Sequence, residues 1–336
     1  EAVNKILEGE YKDVHAILII KDDKLVFEEY FKGHQFKYDA EKHHGESVAW
    51  DRTMIHEVMS VTKSMTGTCI GIAVDKGIIK SVNDQISDYL PEYDHLMIDG
   101  REKITVENLL TMTSGLAWNE WAIPYGNPNN DAIKIYFVED PIAYILEKPL
   151  DGEPGKSFNY AGGNNILLGE IIRNASGLNI DEFSGKYLFE PLGIDPYYWT
   201  QLQNGAIEAA GSLKIKPRDM AKIGSVFLNM GIWKGERIIS EDWIEKSAIS
   251  YKGNSWINNK DDFYGLKGYS YSWWTHNFVR SGRKINIYYA SGWGGQYIMV
   301  IPELNTVAVF TGGNYIGFRP AFEILKEYIL PAFRIE

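Results

Sequence analysis

The sequence predicts an α+β fold in which both ends of the chain contribute strands to one antiparallel sheet. Near the N-terminus, the apolar runs 14–20 and 25–31 flank a short polar turn, a pattern typical of a β-hairpin. In the last third of the chain, three β-rich runs and a closing helix are predicted at 285–290, 296–301, 306–310 and 322–329. Helical patterns occupy the middle. This order indicates a sheet flanked by terminal helices, with a mostly helical lobe inserted.

The helices of the middle region are recognised by their apolar periodicity and by the residues that end them. An apolar run follows Ser60 and is expected to stop near Gly77. Further helices are predicted at 106–112, 140–146, 165–175, 217–228 and 241–247. We expect one unit of two lobes across residues 1–336: an α/β lobe of about 1–75 and 206–336, and a helical lobe of about 76–205.

Composition is that of an ordinary globular protein and excludes several kinds of partner. Of the 336 residues, 45% are hydrophobic and 24% are charged, which is enough apolar material for a sizeable core. The net charge of −11, without a basic stripe, argues against nucleic acid as a partner. No run approaches the roughly 20 apolar residues of a membrane span. The single cysteine, Cys69, allows no intrachain disulfide and is predicted to lie buried in the core.

Neither a metal nor a cofactor is predicted. The polar, irregular stretch 33–52 is expected to be a solvated loop. Its histidines, His34, His43 and His44, have no carboxylate or cysteine cluster at metal-ligand spacing around them. The turn at 152–157 is not a phosphate-binding loop, because two residues separate its glycines where four are required.

A loop at 118–130, rich in Trp, Asn, Pro and Gly, is of the kind that borders binding pockets. Glu120 within it is expected to be solvated, as carboxylates in polar loops usually are. Trp121 and Tyr125 are expected to serve packing.

The candidate for chemistry is the Ser-x-x-Lys pattern of Ser60 and Lys63 at the head of the apolar run. Residues three apart in a helix share a face, so the two side chains can come within hydrogen-bond distance. A lysine placed there can draw the proton from a serine hydroxyl and make it nucleophilic. Ser60 would also lie at a helix N-terminus, where the dipole favours developing negative charge. No Gly-x-Ser-x-Gly elbow is present, so the pattern indicates an acyl-transfer serine hydrolase of another kind.

Four segments together carry a resemblance to a known family, and they occur in that family's order. They read SVTK at 60–63, LLTMTSGL at 109–116, PGKSFNY at 154–160 and ASGWGGQ at 290–296. They resemble the serine β-lactamase and penicillin-binding-protein family, with class C β-lactamases and family VIII carboxylesterases as the closest branch. The resemblance runs from about Val14 over nearly the whole chain. It implies the β-lactamase/transpeptidase-like form of the α+β fold.

The resemblance implies a role for each matching residue. Ser60 matches the nucleophile that forms an acyl-enzyme, and Lys63 matches the partner that orients and deprotonates it. Tyr160 matches the tyrosine of the Tyr-x-Asn motif, which shares the base role and later activates water. A tyrosine with a pKa of about 10 acts as a base near neutrality only if its anion is favoured, which the Lys63 cation is expected to do. Main-chain N–H groups of Ser60 and Trp293 would form the oxyanion hole.

Two departures from the family pattern bear on the substrate. The Tyr-x-Asn motif reads Tyr160-Ala161-Gly162, so its amide side chain is missing. The Lys-Thr-Gly of β-lactamases reads Ala290-Ser291-Gly292, so the cation that would meet a β-lactam or peptide carboxylate is missing. Charge-assisted pairing is about twice as strong as a neutral hydrogen bond, so anionic substrates should bind worse.

We therefore predict a serine hydrolase for small, largely uncharged acyl substrates, in the first place a carboxylesterase and also an amidase. A β-lactamase or D-amino-acid peptidase, and a non-catalytic binding protein on the same fold, are the alternatives. The partner would be a small-molecule ester, amide or lactam. Substrate contacts are predicted for Trp118, Asn119, Ser291, Gly292 and Trp293. The resemblance alone favours a bacterial periplasmic or secreted location, and the oligomeric state is left open.

Overall fold

The structure, a computed structural model, describes residues 1–252, 254, 267–280 and 283–333. In these ranges the strands are β1 (Val14–Lys21), β2 (Lys24–Tyr30), β3 (Lys32–Phe36), β4 (His44–Ala49), β5 (His56–Glu57), β6 (Lys214–Ile215), β7 (Ile232–Trp233), β8 (Glu236–Arg237), β9 (Lys267–Ser270), β10 (Trp273–Arg280), β11 (Arg283–Gly292), β12 (Gln296–Ile301) and β13 (Thr306–Gly312). The α-helices are α1 (Ala2–Leu7), α2 (Val61–Asp75), α3 (Val106–Leu110), α4 (Asp131–Lys134), α5 (Pro141–Leu146), α6 (Gly162–Ser176), α7 (Ile180–Ser184), α8 (Glu190–Leu192), α9 (Pro217–Leu228), α10 (Glu241–Ala248), α11 (Ala321–Ile324) and α12 (Leu330–Ala332). Single π-helical turns at Gly185–Phe189 and Leu325–Ile329 extend α7 and α11.

The centre of the molecule is a seven-stranded antiparallel sheet with the strand order β2-β1-β13-β12-β11-β10-β9. β1 and β13 pair in register from Lys21 opposite Thr306 to Ile17 opposite Phe310. The two chain ends therefore meet inside one sheet, as the sequence predicts. Strands β9 and β10 extend the sheet at one edge and were not predicted, because the sequence before residue 285 gave no clear β pattern.

Alternating side chains of the sheet enter two separate buried layers. Leu18 and Val309 point to one face, which packs on α2, α9 and α10. Ile17 and Phe310, one position along, point to the other face and pack on the terminal helices α1, α11 and α12. The period of two in a strand sends neighbours to opposite faces. The prediction of a sheet flanked by terminal helices is thus confirmed.

Helix α2 connects the sheet to the helical part of the chain. Every residue from Val61 to Ala73 is buried. The helix packs against α6 on one side and against β11 on another, so it lies between the sheet and the helical part of the chain. The predicted division into lobes at about residues 76 and 205 stays a prediction. Within the predicted segment 206–336 of the α/β lobe, residues 253, 255–266, 281–282 and 334–336 lie outside the described ranges.

The expectation of an irregular loop at 33–52 is wrong. Strands β3 and β4 pair antiparallel there, with Lys32 opposite Ala49 and Phe36 opposite His44. The pair carries polar residues on both faces and has no apolar alternation, so the sequence pattern did not reveal it. Phe36 and Tyr38 of this hairpin border the site described below.

No helix in the described ranges is long and apolar enough to cross a bilayer.

Candidate active site

Ser60 lies at the N-terminus of α2, directly after a backbone turn of unusual conformation. The preceding residue, Met59, has a φ of 50°. That region costs a non-glycine residue about 1 kcal/mol, and such strain often occurs at functional sites. The approach to Ser60 is fixed from outside, since Val58 N donates to Leu213 O at 3.0 Å and β5 pairs with β6. The serine is half-buried.

Lys63 lies one helical turn later, and its ammonium group is held in a buried position beside Ser60. Its Nζ lies 3.0 Å from Ser60 Oγ, and it donates to the main-chain carbonyl of Ala210 at 3.0 Å. Glu120 Oε1 lies 3.6 Å from the same Nζ. The predicted pairing of the serine and lysine side chains is therefore present in the structure.

Glu120 is the residue that sequence reasoning missed. The expectation that it is solvated is wrong, because its side chain is only 2% exposed. Its two oxygens accept hydrogen bonds from the Tyr125 hydroxyl at 2.8 Å, the Trp118 indole at 2.9 Å and Gly162 N at 2.7 Å. A buried carboxylate is stable only when paired and hydrogen-bonded, and these donors together with Lys63 meet that requirement.

Tyr160 is brought to the site by the second motif segment. Asn159 N donates to Met112 O at 2.8 Å, and Ala161 N donates to Met112 Sδ at 3.4 Å. These bonds place the centroid of the Tyr160 ring 4.8 Å from Lys63 Nζ. Trp121 stacks on the ring at a centroid distance of 4.8 Å. The three residues that the motifs single out therefore lie together.

The surroundings of Tyr160 favour its neutral phenol over the anion that its predicted base role requires. Burial is the largest cause that raises the pKa of its phenol, and the negative charge of Glu120 raises it further. The Ser60 hydroxyl and the Arg319 guanidinium oppose this shift but do not overcome it. Burial and the charge of Glu120 thus both favour the neutral phenol over the anion. The expectation of an anion rests on Lys63 alone, because the sequence does not reveal that Glu120 is buried beside it.

Gly292 brings the end of β11 close to the segment before Ser60. A Cβ at position 292 would lie 2.3 Å from Val58 O, so only glycine fits this approach. The next side chain, Trp293, is fixed by a hydrogen bond from its indole to Tyr315 O at 2.8 Å. Among the residues that the structure describes, the main-chain amides of Ser60 and Trp293 have no hydrogen-bond acceptor.

Two cavities share Ser60, Glu120, Tyr125 and Trp293 in their walls. The first, of about 410 Å³, is lined largely by apolar and aromatic side chains together with two buried carboxylates; its further lining includes Met59, Ile133, Ile135, Tyr136, Phe137 and Glu208. The second, of about 300 Å³, is more polar and is lined by Tyr160, Ser291, Gly292 and Arg319 among others. Tyr125, expected to serve packing, therefore also borders both cavities.

Two of the predicted substrate contacts lie away from these cavity walls. Trp118 is buried and lines neither cavity, and its indole N–H donates a hydrogen bond to Glu120. Asn119 is tied to α4 through its main chain, with its N–H 2.7 Å from Asp131 Oδ2, and it also lines neither cavity. Ser291, Gly292 and Trp293 all border the second cavity.

One group of side chains outside the cavities has metal-ligand character. Asp13, His34 and His44 each offer a ligand atom within 4.8 Å of the others. The two imidazole rings stack in parallel, with centroids 4.5 Å apart and planes at 6°. Because imidazole lone pairs lie in the ring plane, parallel stacked rings do not direct them at one ion. The arrangement as it stands does not suit a metal.

The sequence was compared with models of known protein families. The sequence model of the family described as Beta-lactamase matches residues 13–313. The chain belongs to the β-lactamase family. The family resemblance drawn from the four motif segments is therefore confirmed.

Individual relatives of this β-lactamase-family protein are distant. The 6-aminohexanoate-dimer hydrolase of Paenarthrobacter ureafaciens is 27% identical over 270 residues, which cover 76% of this chain and 65% of that protein. The chain thus aligns with less than two thirds of that relative. The octameric penicillin-binding protein homologue from Pyrococcus abyssi superposes with a TM-score of 0.70 at 24% identity, over 100% of this chain and 77% of that one. A family VIII carboxylesterase gives a TM-score of 0.71 at 17% identity, over 96% and 94% of the two chains. At such identities these structures establish the β-lactamase/transpeptidase-like fold alone.

Proposed function

We propose that this protein is a serine hydrolase that forms an acyl-enzyme on Ser60 and acts on esters of small, largely uncharged acids. The observation that carries the proposal is the 3.0 Å contact between Lys63 Nζ and Ser60 Oγ in the wall of a cavity. A serine hydroxyl becomes a useful nucleophile only beside a group that takes its proton, and Lys63 is that group. Membership of a family whose relatives include named hydrolases supports the same conclusion.

The proposed reaction assigns a different task to each of the three central side chains. In the reacting form of the enzyme Lys63 has given up a proton, and its amine takes the proton of Ser60 while Ser60 Oγ attacks the substrate carbonyl. Glu120, at 3.6 Å from Lys63 Nζ, balances the ammonium charge that results. Burial favours the neutral phenol of Tyr160, so it can donate its proton to the leaving group, and the Lys63 ammonium then returns a proton to the phenolate. In the second half of the reaction a water gives its proton to Lys63 and attacks the acyl carbonyl, and Ser60 Oγ takes that proton back as the acid is released. The free amides of Ser60 and Trp293 would stabilise the tetrahedral oxyanion, commonly the largest single contribution in such sites.

The first cavity is proposed to take the acyl chain. Ile133, Ile135 and Phe137, with Met59, provide apolar surface beside the nucleophile. The volume of about 410 Å³ suits a short chain or a single ring. Burying apolar surface contributes about 25 cal/mol per Å², so a chain of a few carbons would gain measurably in binding.

Amide hydrolysis is the second candidate function. It is favoured by the relative from Paenarthrobacter ureafaciens, which is named for hydrolysis of a 6-aminohexanoate dimer. The chemistry at Ser60 would be the same. The proton from Tyr160 would matter more, since an amine leaves only when protonated.

Labelling and turnover test the proposal together. A fluorophosphonate probe should modify Ser60, and intact mass should show an acyl adduct with at least one of a panel of p-nitrophenyl esters, anilides and nitrocefin. Ser60→Ala should abolish both signals. The matched control is Ser64→Ala on the same helix, whose hydroxyl donates to Ser272 O at 2.7 Å instead of facing the cavities; it should keep labelling and turnover.

The outcomes separate the alternatives. Nitrocefin turnover equal to that of short esters would favour a β-lactamase, and faster anilide turnover would favour an amidase. If Ser60 takes no label and the folded protein turns over nothing, the enzyme proposal fails and a binding protein on this fold remains.

A further inference from the structure

Helix α6 begins directly after the segment that carries Tyr160, but its N-cap residue has no side chain that can cap it. That residue is Ala161, and alanine offers no oxygen to the main-chain N–H groups of the first turn. Two other segments supply the acceptors. Gly162 N donates to Glu120 Oε2 at 2.7 Å. Ala161 N donates to Met112 Sδ at 3.4 Å, so a thioether holds the main chain one residue after the phenol.

Met112 holds the residues on both sides of Tyr160. Its main-chain carbonyl accepts a hydrogen bond from Asn159 N at 2.8 Å. Its sulfur accepts from Ala161 N and also, at 3.6 Å, from the side-chain amide of Asn164. Both neighbours of Tyr160 in the chain therefore depend on one methionine, through its carbonyl on one side and its sulfur on the other.

The backbone of Met112 is held in an unusual conformation. Its φ is 58°, in the left-handed region that residues other than glycine rarely adopt. Hydrogen bonds on both sides fix it there: Met112 N donates to Leu109 O at 3.2 Å. Thr113 N donates to Asn108 O at 2.8 Å. Such strain persists only where the surroundings over-determine it, and it is concentrated at active sites, as at Met59 before the nucleophile.

We propose that Met112 is a positioning residue for Tyr160, and that the hydrogen bonds to its sulfur set the phenol where it can protonate basic leaving groups. This rests on the proposed function, in which Tyr160 gives its proton to the leaving group as the bond to the acyl carbon breaks. The Lys63 ammonium then returns a proton to the phenolate. Met112 is fully buried and lines neither cavity, so it acts through Tyr160 and does not touch the substrate.

The stacked rings around Tyr160 do not replace this main-chain support. Trp121 and Trp274 lie nearly parallel to the phenol ring, with centroid distances of 4.8 and 5.6 Å. They restrict the tilt of the ring, but burial between apolar surfaces has no direction and does not fix the ring along its own plane. The hydrogen bonds to Met112 are directional and supply that restraint. Its value is high, because a misplacement of about 1 Å can cost about 10²-fold in rate.

Two acetate esters with different leaving groups test the inference. The alkoxide of benzyl alcohol is far more basic than p-nitrophenolate, so benzyl acetate needs the proton of Tyr160 much more than p-nitrophenyl acetate does. The readout is the ratio of kcat/KM for benzyl acetate over p-nitrophenyl acetate. Met112→Leu keeps the volume of the side chain but removes the acceptor, and it should lower this ratio by about tenfold. Met112→Gln returns an acceptor and should recover most of the ratio.

Two controls separate positioning from general support of the fold. Met220→Leu makes the same change at a fully buried methionine of α9 that lines neither cavity, and it should keep the wild-type ratio. In a Tyr160→Phe background, Met112→Leu should lower the ratio no further, because the proton donor is already gone. An equal fall in that background overturns the inference. A ratio that follows the urea midpoint across the three methionine variants overturns it too, since Met112 would then only support the fold.

Fluorine NMR decides the matter if turnover is too slow to compare. With 3-fluorotyrosine in place of Tyr160, one resonance reports the surroundings of that ring. Met112→Leu should shift this resonance by more than its line width, Met112→Gln should restore most of the wild-type position, and Met220→Leu should leave it unchanged. An unchanged ratio or an unchanged resonance in Met112→Leu, in a protein whose Ser60 still takes the fluorophosphonate label, overturns the inference alone. A wild type that hydrolyses neither ester and takes no label contradicts the proposed function itself.

Discussion

Glu120 and Glu208 are two carboxylates in the wall of one cavity, both almost wholly buried, but they are bound in different ways. Glu120 accepts from the side chains of Tyr125 and Trp118 and faces Lys63 at 3.6 Å. Its charge is therefore tied to the partner of the nucleophile. Any change at Glu120 alters the electrostatics of Ser60 and Lys63 directly.

The carboxylate of Glu208 accepts hydrogen bonds from main-chain amides of the turn that directly follows it. Its oxygens accept from Ala210 N at 3.0 Å and Gly211 N at 2.8 Å. The carbonyl of Ala210 in turn accepts from Lys63 Nζ at 3.0 Å. Glu208 can thus influence Lys63 in two ways, through its charge and by holding this turn in place. Burial and proximity to a cavity therefore do not by themselves give two carboxylates the same role.

The largest effect should come from removing the cation that both carboxylates face. Lys63→Met should lower turnover by about 10³-fold or more, because the proton acceptor of Ser60 is lost. It should also lower the free energy of unfolding by about 3 kcal/mol, because Glu120 is left buried without a counter-ion. Urea denaturation and the ester assay measure the two effects.

The double variant Lys63→Met/Glu120→Gln provides the control for this prediction. It should regain much of the lost stability and none of the activity. If the single and the double variant are equally stable, Glu120 is not the charge that Lys63 neutralises. The statement that the charge of Glu120 is tied to Lys63 would then be wrong.

The sequence predicts those features of the fold and the candidate site that depend on residues close together in the chain. Ser60 and Lys63 meet because three residues span one helical turn, and α9 begins at Pro217 because proline suits the first turn of a helix. Strands β12 and β13 follow from short β-rich runs bounded by turn residues. Tyr160 required the family resemblance, since nothing local distinguishes it from a packed core ring.

The remaining features depend on contacts between distant segments. Glu120 lies in a polar loop, and only the folding of α2 and α6 against that loop buries it. Ala210 contributes a main-chain carbonyl, which any residue could supply and no sequence pattern reveals. Arg319 lies on a segment without secondary structure, far along the chain from every motif. Such features follow from tertiary packing and not from composition or spacing.

A direct comparison of the two carboxylates gives the next largest effect. Glu120→Gln should lower kcat by about 10²-fold, because the amide cannot balance the ammonium of Lys63. Glu208→Gln should change kcat by less than about threefold but should lower stability by about 1–2 kcal/mol, since an amide N–H would face the N–H donors of the turn. The measurements are kcat at saturating ester and urea denaturation at pH 7.5. A larger loss of kcat in Glu208→Gln than in Glu120→Gln would reverse the assignment of roles.

The smallest effect concerns the pH dependence of stability that Glu208 contributes. Burial is the main cause that raises the pKa of Glu208, against the charge of Lys63 and the two amide hydrogen bonds. A carboxyl group whose pKa is higher in the folded than in the unfolded protein stabilises the fold fully below the unfolded pKa of about 4.3, and this contribution is lost as the pH rises through the folded pKa. The wild type should therefore lose stability relative to Glu208→Gln between pH 4 and pH 7. Urea denaturation of both proteins across this range measures the difference, with the exposed Glu41→Gln as the baseline. A wild-type advantage that grows with pH would mean that the amides of Ala210 and Gly211 favour the anion more than burial disfavours it.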